Sequence, residues 1–167
     1  MEHSTLTITG EASGPHVERA QFIGHVMQLA ARTAHHNSVP LQVLADRALT
    51  AHSLEQAKLY FNDYGQCVGY VIWALLSPEV ERRFLGTPDS SLHISEWNEG
   101  GSLWILDFVV PYGSLRYVMD DLRDQLFPHQ ACVTYFKYKN RKRMAKRMSR
   151  DSFAHFFKRG TPDAGNT

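Results

Sequence analysis

The chain has 167 residues, a formal net charge of +1, 43% hydrophobic and 21% charged residues, and two cysteines. That length fits one domain with a sizeable core, and the composition reads as a soluble globular chain. No apolar run approaches the roughly 20 residues needed to span a bilayer, and the first residues lack the basic and apolar regions of a secretory signal. Cys67 and Cys132 fall in apparent strands and read as buried free thiols of a cytoplasmic protein rather than a disulfide. Nine histidines invite a metal, yet only His35 and His36 are adjacent and no usual ligand spacing is present, so no metal is expected. Charge is unevenly spread. Eight Lys or Arg and no acid lie between Lys137 and Arg150, leaving 10 basic against 17 acidic residues elsewhere, a balance of −7. A basic tract on an acidic body is a solvated face or a surface for an acidic partner.

Residues 1–17 read as a loose arm with a short strand at Leu6-Thr7-Ile8. From Val17 to Arg32 the spacing of Phe22, Val26, Leu29 and Ala30 predicts an amphipathic helix. It runs out before Pro40, which leaves His36 in a loop. Leu41, Leu44, Ala45 and Ala48 predict a second short helix over 41–49. Residues 54–62 take on strand composition, Asp63-Tyr64-Gly65-Gln66 is a hairpin turn, and Cys67–Leu76 is a long buried strand. Ser77-Pro78-Glu79 starts a helix running to about Phe84, and 86–89 is loop.

The run SLWILDFVVPYG, Ser102 to Gly113, is a buried strand bounded by turn residues. Asp107 is its single interruption. A carboxylate there costs several kcal/mol, by order of magnitude, unless it is paired or hydrogen-bonded. It is therefore either a structural tie or an acid at the floor of a cleft. Ser114 caps a helix with Leu115, Val118, Met119, Leu122 and Leu126 as its apolar stripe, ended by Phe127-Pro128. Ala131–Tyr138 is a further strand. Arg141–Lys158 reads as a closing helix, with Met144, Met148, Phe153, Phe156 and Phe157 inward and Lys/Arg outward, and 160–167 as a frayed tail. The sum is an α+β chain with no repeats, no linker and no Gly-rich phosphate loop, since Gly100-Gly101 precedes a strand.

Three stretches in order carry a resemblance: Ile23-Gly24-His25-Val26 through His36-Asn37-Ser38-Val39-Pro40; Val68–Ser77, VGYVIWALLS; and Glu96-Trp97-Asn98-Glu99-Gly100 through Leu103–Gly113. Together, over about residues 22–128, they resemble the toxin-activating lysine acyltransferases that mature RTX haemolysins and the adenylate cyclase toxin. The resemblance implies a GNAT-like acyltransferase fold, a central mostly antiparallel sheet flanked by helices, without the acetyl-CoA pyrophosphate loop. It implies no bound cofactor, acyl-carrier protein as acyl donor, an internal lysine of an RTX protoxin as acceptor, a homodimer, and a loop His with a strand Asp as the essential pair. Carried over, the catalytic candidates are His36 and Asp107, with Thr33, Asn37, Trp104, Arg143 and Arg147 as substrate-binding candidates. Thr33 and Asn37 depart from the family's residues around its His, and the chain beyond Pro128 looks one strand short.

Amide formation from a thioester needs a base to deprotonate a lysine whose pKa is ordinarily about 10.4. Imidazole at position 36 suits that role, with Asp107 fixing its tautomer. Direct transfer is favoured over an acyl-enzyme on either cysteine. Two other readings stay open. One is an acetyl-CoA-dependent N-acetyltransferase. The other is a binding module whose basic helix, beside Tyr135, Phe136 and Tyr138, grips RNA or an acidic protein.

Overall fold

A computed structural model describes residues 6–7, 15–86, 91–139 and 142–155. Six strands form one sheet in chain order: β1 (Leu6–Thr7), β2 (Ala57–Asn62), β3 (Cys67–Leu76), β4 (Ser102–Val109), β5 (Cys132–Lys139) and β6 (Lys142–Ser149). All neighbours are antiparallel except β4 and β5, which pair in parallel through Trp104–Thr134 and Ile105–Tyr135. The helices are α1 (Pro15–Ala30), α2 (Leu41–Ser53), α3 (Pro78–Gly86), α4 (Leu115–Asp121) and α5 (Arg150–His155). The architecture is α+β with a mostly antiparallel sheet flanked by helices. Among the described residues no helix is long and apolar enough to cross a membrane.

The sheet is covered on both faces, which explains why β3 is apolar almost throughout. On one face Tyr70, Ile72, Ala74 and Leu76 of β3 pack against Phe22, Val26 and Leu29 of α1, Leu44, Ala48 and Ala51 of α2, and Val80 and Phe84 of α3. On the other, Val71 and Trp73 of β3 and Tyr60 of β2 pack against Val118 and Met119 of α4 and the following Leu122. Among the described residues the predicted elements through Asp121 form close to where their patterns place them; the expected loop at 86–89 lies outside them except for Gly86, which ends α3. Ser77 Oγ accepts the Val80 N–H at the start of α3, whereas Ser114 starts α4 without a side-chain cap. Residues 122–126 continue α4 as a wider π turn before Phe127. Gly65, at a φ of 73°, closes the β2–β3 hairpin over the Asn62 side chain. A Cβ on Gly100 would lie 2.1 Å from the Leu76 carbonyl oxygen, so the chain entering β4 can pass β3 there only as glycine.

The closing helix over 141–158 does not form as predicted. Residues 142–149 are β6, paired with β5 along its length, and of the described residues there only 150–155 are helical. Met144 and Met148 are spaced for a helix turn, and Lys, Arg and Met favour helix intrinsically. The free edge of β5, however, offers a backbone ladder, and tertiary pairing overrides local preference. Met148 reaches the second core and Met144 is exposed. The inward cluster at Phe153, Phe156 and Phe157 and the tail at 160–167 lie outside the side chains described, as does nearly all of the 1–17 arm. Both cysteines are free, and they are half-buried rather than buried.

Candidate active site

The site begins at the end of α1. The last turn leaves carbonyls without helical partners, and Thr33 Oγ1 reaches back to one of them, Ala30 O, at 2.9 Å. The chain then tightens into a 3₁₀ turn, Ala34–Ser38, before Pro40 opens α2. This turn carries His36 inward to 8% exposure while Ala34, His35, Asn37 and Ser38 stay exposed. Its imidazole meets Asp107 from β4: Nε2 lies 3.0 Å from Oδ1 and 3.1 Å from Oδ2. Nδ1 faces Thr33 Oγ1 in a short hydrogen bond.

Asp107 faces His36 because β4 is bulged. Ile72 pairs with Asp107, but the next residue, Trp73, pairs with Ile105, so Leu106 is an extra residue. Strict alternation would put Asp107 on the Ile105 face, under α4. The bulge returns it to the Trp104 face, under α1 and α2. There the carboxylate also accepts the Tyr70 hydroxyl at 3.2 Å and its neighbour Phe108 N–H at 2.9 Å. Burial first, then the Asp107 charge and hydrogen bond, push the Tyr70 phenol far above its ordinary value, so it serves as a donor. Arg47 of α2 brings Nη1 to 3.6 Å from Oδ2. The buried acid is fully partnered.

The network determines proton positions. An ionised carboxylate only accepts, so Nε2 carries the hydrogen given to Asp107. In the neutral ring Nδ1 is then the lone-pair nitrogen, and the Thr33 hydroxyl donates to it. When the ring is protonated, Nδ1–H donates to Thr33 Oγ1, which turns its own hydrogen to Ala30 O. One hydroxyl therefore serves both charge states of His36. Beside them, the exposed His35 ring stands edge-on at 4.8 Å. Its pKa is lowered by burial first, then by His36 and Arg47, with Asp107 opposing.

The other candidates lie elsewhere. Trp104 is fully buried between Phe84 and Phe136, and its Nε1 donates to Glu81. It is a core residue. Arg143 donates to Phe84 O at 3.1 Å and lies 4.0 Å over the Phe136 ring, clamping β6 to α3. Arg147 is exposed on β6, its Nε 3.1 Å from Cys132 Sγ. Asn37 is exposed beside His36. Sequence reasoning misses Arg47 and Tyr70. Tyr70 carries a legible signal, a polar group inside an apolar strand, but Arg47 looks like the outer face of a short helix. Cys67 is pushed up to about 11 by burial, which hydrogen bonds from the backbone only partly offset, so it is held as a thiol near neutrality. Among the described residues no group of three or more His, Cys, Asp or Glu converges to hold a metal ion.

A model of the RTX toxin acyltransferase family matches residues 16–152. The chain is similar to the leukotoxin-activating lysine-acyltransferase LtxC of Aggregatibacter actinomycetemcomitans, at 31% identity over 71% of this chain and 69% of the relative. It is also similar to the lysine-acyltransferase RtxC of Vibrio cholerae, at 28% over 64% and 69%. A third relative is the protein-lysine myristoyltransferase HlyC of Escherichia coli, at 31% over 64% of each chain.

Proposed function

As the chain belongs to the RTX toxin acyltransferase family, we propose that this acyltransferase moves a fatty acyl group from acyl-carrier protein to an internal lysine of an RTX protoxin, with His36 as general base and Asp107 as its orienting partner. The observation that carries the reading is the buried contact of His36 Nε2 with Asp107, which leaves Nδ1 as the basic nitrogen at the Thr33 hydroxyl. Nδ1 takes a proton from the incoming lysine, directly or through Thr33 Oγ1. The amine nitrogen, its first proton passed on to solvent, attacks the thioester carbonyl carbon; the ring takes the second N–H proton from the tetrahedral adduct, the C–S bond breaks, and the departing thiolate takes that proton from the imidazolium. Asp107 stabilises that imidazolium without itself being protonated. The chemistry of these residues requires no bound cofactor. The raised Cys67 thiol favours direct transfer over an acyl-enzyme.

The exposed cations of β6 suit an acidic carrier protein, with Coulomb steering that salt weakens. Arg143 is committed to Phe84 and Phe136, so Lys146 and Arg147 are the residues to reverse. Lys146→Glu with Arg147→Glu weakens donor binding; unchanged affinity removes the strand from the docking reading. A solvated edge strand charged against self-pairing would carry the same residues. The RNA reading loses support, because Phe136 packs into the core beneath Arg143 rather than standing free to stack. The family also suggests a homodimer in the cytoplasm, which sedimentation and fractionation test.

The deciding experiment is intact-mass spectrometry of an RTX protoxin after incubation with acyl-carrier protein charged with different fatty acids. A fatty-acyl mass gain with wild type, lost in His36→Ala and Asp107→Ala, is expected. A gain surviving in His36→Ala would make the base wrong. Transfer from acetyl-CoA instead of the charged carrier would make the chain an N-acetyltransferase. No gain with any acyl chain would overturn the reading.

A further inference from the structure

Arg47 lies on α2 between Leu44 and Ala48, both buried in the core under β3. Its Nη1 stands 3.6 Å from Asp107 Oδ2, beyond hydrogen-bonding reach but close for two charges. The carboxylate's acceptor positions are taken by His36, Tyr70 and Phe108 N–H. Arg47 is 31% exposed against 5% for Asp107, so its guanidinium has one side to water and the other toward a buried anion. Arginine stays charged throughout the working range.

Each element packed against His36 contributes a group. His35 comes from its own turn, Arg47 from α2, the Tyr70 hydroxyl from β3 and the Asp107 carboxylate from β4, while α1 reaches it through Ala30 O and Thr33. When His36 takes a proton, two cations share one carboxylate. Their repulsion favours the neutral ring. The same arginine charge already acts on His35.

We propose that Arg47 is a positioning residue for the acyl transfer, which by sharing Asp107 with His36 opposes the imidazolium and returns the ring to its base form after each proton is taken. The inference rests on the reading of His36 as the base, but it is tested apart from catalysis. The experiment is a histidine-ring NMR titration of the full labelled chain as wild type, Arg47→Gln and Arg47→Lys. The midpoint for His36 is expected to rise in Arg47→Gln and to stay near wild type in Arg47→Lys, which keeps the charge. An unchanged or lowered midpoint in Arg47→Gln overturns the proposal. In the acylation assay the acidic limb of the rate profile moves to higher pH in Arg47→Gln; a stationary limb also overturns it. A wild type that acylates no lysine defeats the reading of the site, and the ring titration still decides Arg47.

Discussion

Among the described residues two carboxylates are buried, one on each face of the sheet, and their surroundings are chemically alike. Asp107 accepts from Tyr70 and His36 with Arg47 at 3.6 Å; Asp121 accepts from Tyr60 at 2.9 Å and from Lys58 at 2.8 Å. Both acids are nearly out of water, and both tyrosines are held as phenols by burial and then by the neighbouring carboxylate. The difference is the third group. Neither lysine nor tyrosine ordinarily changes charge between pH 5 and 8, whereas histidine does. The Asp121 cluster ties α4 to β2. The Asp107 cluster holds a group able to take and return a proton, on a turn whose neighbours His35 and Asn37 are exposed. A buried acid is therefore no sign of a site by itself; what it is paired with decides.

The largest expected effect separates the two acids. Asp107→Asn lowers acyl transfer about 10²–10⁴-fold and also costs stability, because the amide removes the charge that Arg47 faces and turns hydrogens toward the donors His36 and Tyr70. Asp121→Asn keeps activity per folded molecule but loses about 3 kcal/mol of stability, since it strands a partly buried ammonium. Urea titration beside the mass assay measures both. Activity lost in folded Asp121→Asn would break the comparison.

Next come the hydroxyls. Thr33→Val removes the group that answers both charge states of His36, and the rate falls about tenfold, the worth of one hydrogen bond, while Thr33→Ser stays near wild type. A valine variant as fast as wild type would take Thr33 out of the reaction. Tyr70→Phe and Tyr60→Phe each remove one bond to a carboxylate and cost about 1 kcal/mol in a urea titration. Only Tyr70→Phe should also slow transfer, and equal rates in the two variants would blunt the distinction.

Part of this contrast is legible in the amino-acid sequence alone. Asp107 stands out as the lone charge in an apolar run, and His36 by its place between a helix end and a proline. Their meeting is legible only through the family resemblance and not in the pattern, because it needs the extra residue at Leu106, and simple alternation aims Asp107 at the wrong face. Asp121 and Lys58 carry no mark, because acids on helices and lysines on strands are ordinary surface residues; only the packing of α4 buries Asp121 and half-covers Lys58. Trp104 misleads for the converse reason. It lies in the same apolar run as Asp107, yet its ring belongs to the core around Phe84 and Phe136. The basic tract has the pattern of a helix because nothing local records that β5 has an unpaired edge.

The smallest effect is the most specific to one cluster. His35 has a folded-state pKa below its ordinary 6.5, from partial burial first and the His36 charge second. The unfolded chain therefore takes up that proton more readily than the folded one. Its contribution to stability is intact above about pH 6.5 and is lost as pH falls from there through the lowered folded value. In His35→Gln the decline of the urea midpoint between pH 7 and pH 5 becomes shallower, whereas Lys58→Met leaves the slope in that window unchanged while lowering the whole curve. A slope unaltered by His35→Gln would mean that the ring feels neither the burial nor the charges around it, and that the turn carrying His36 stands further open than its packing implies.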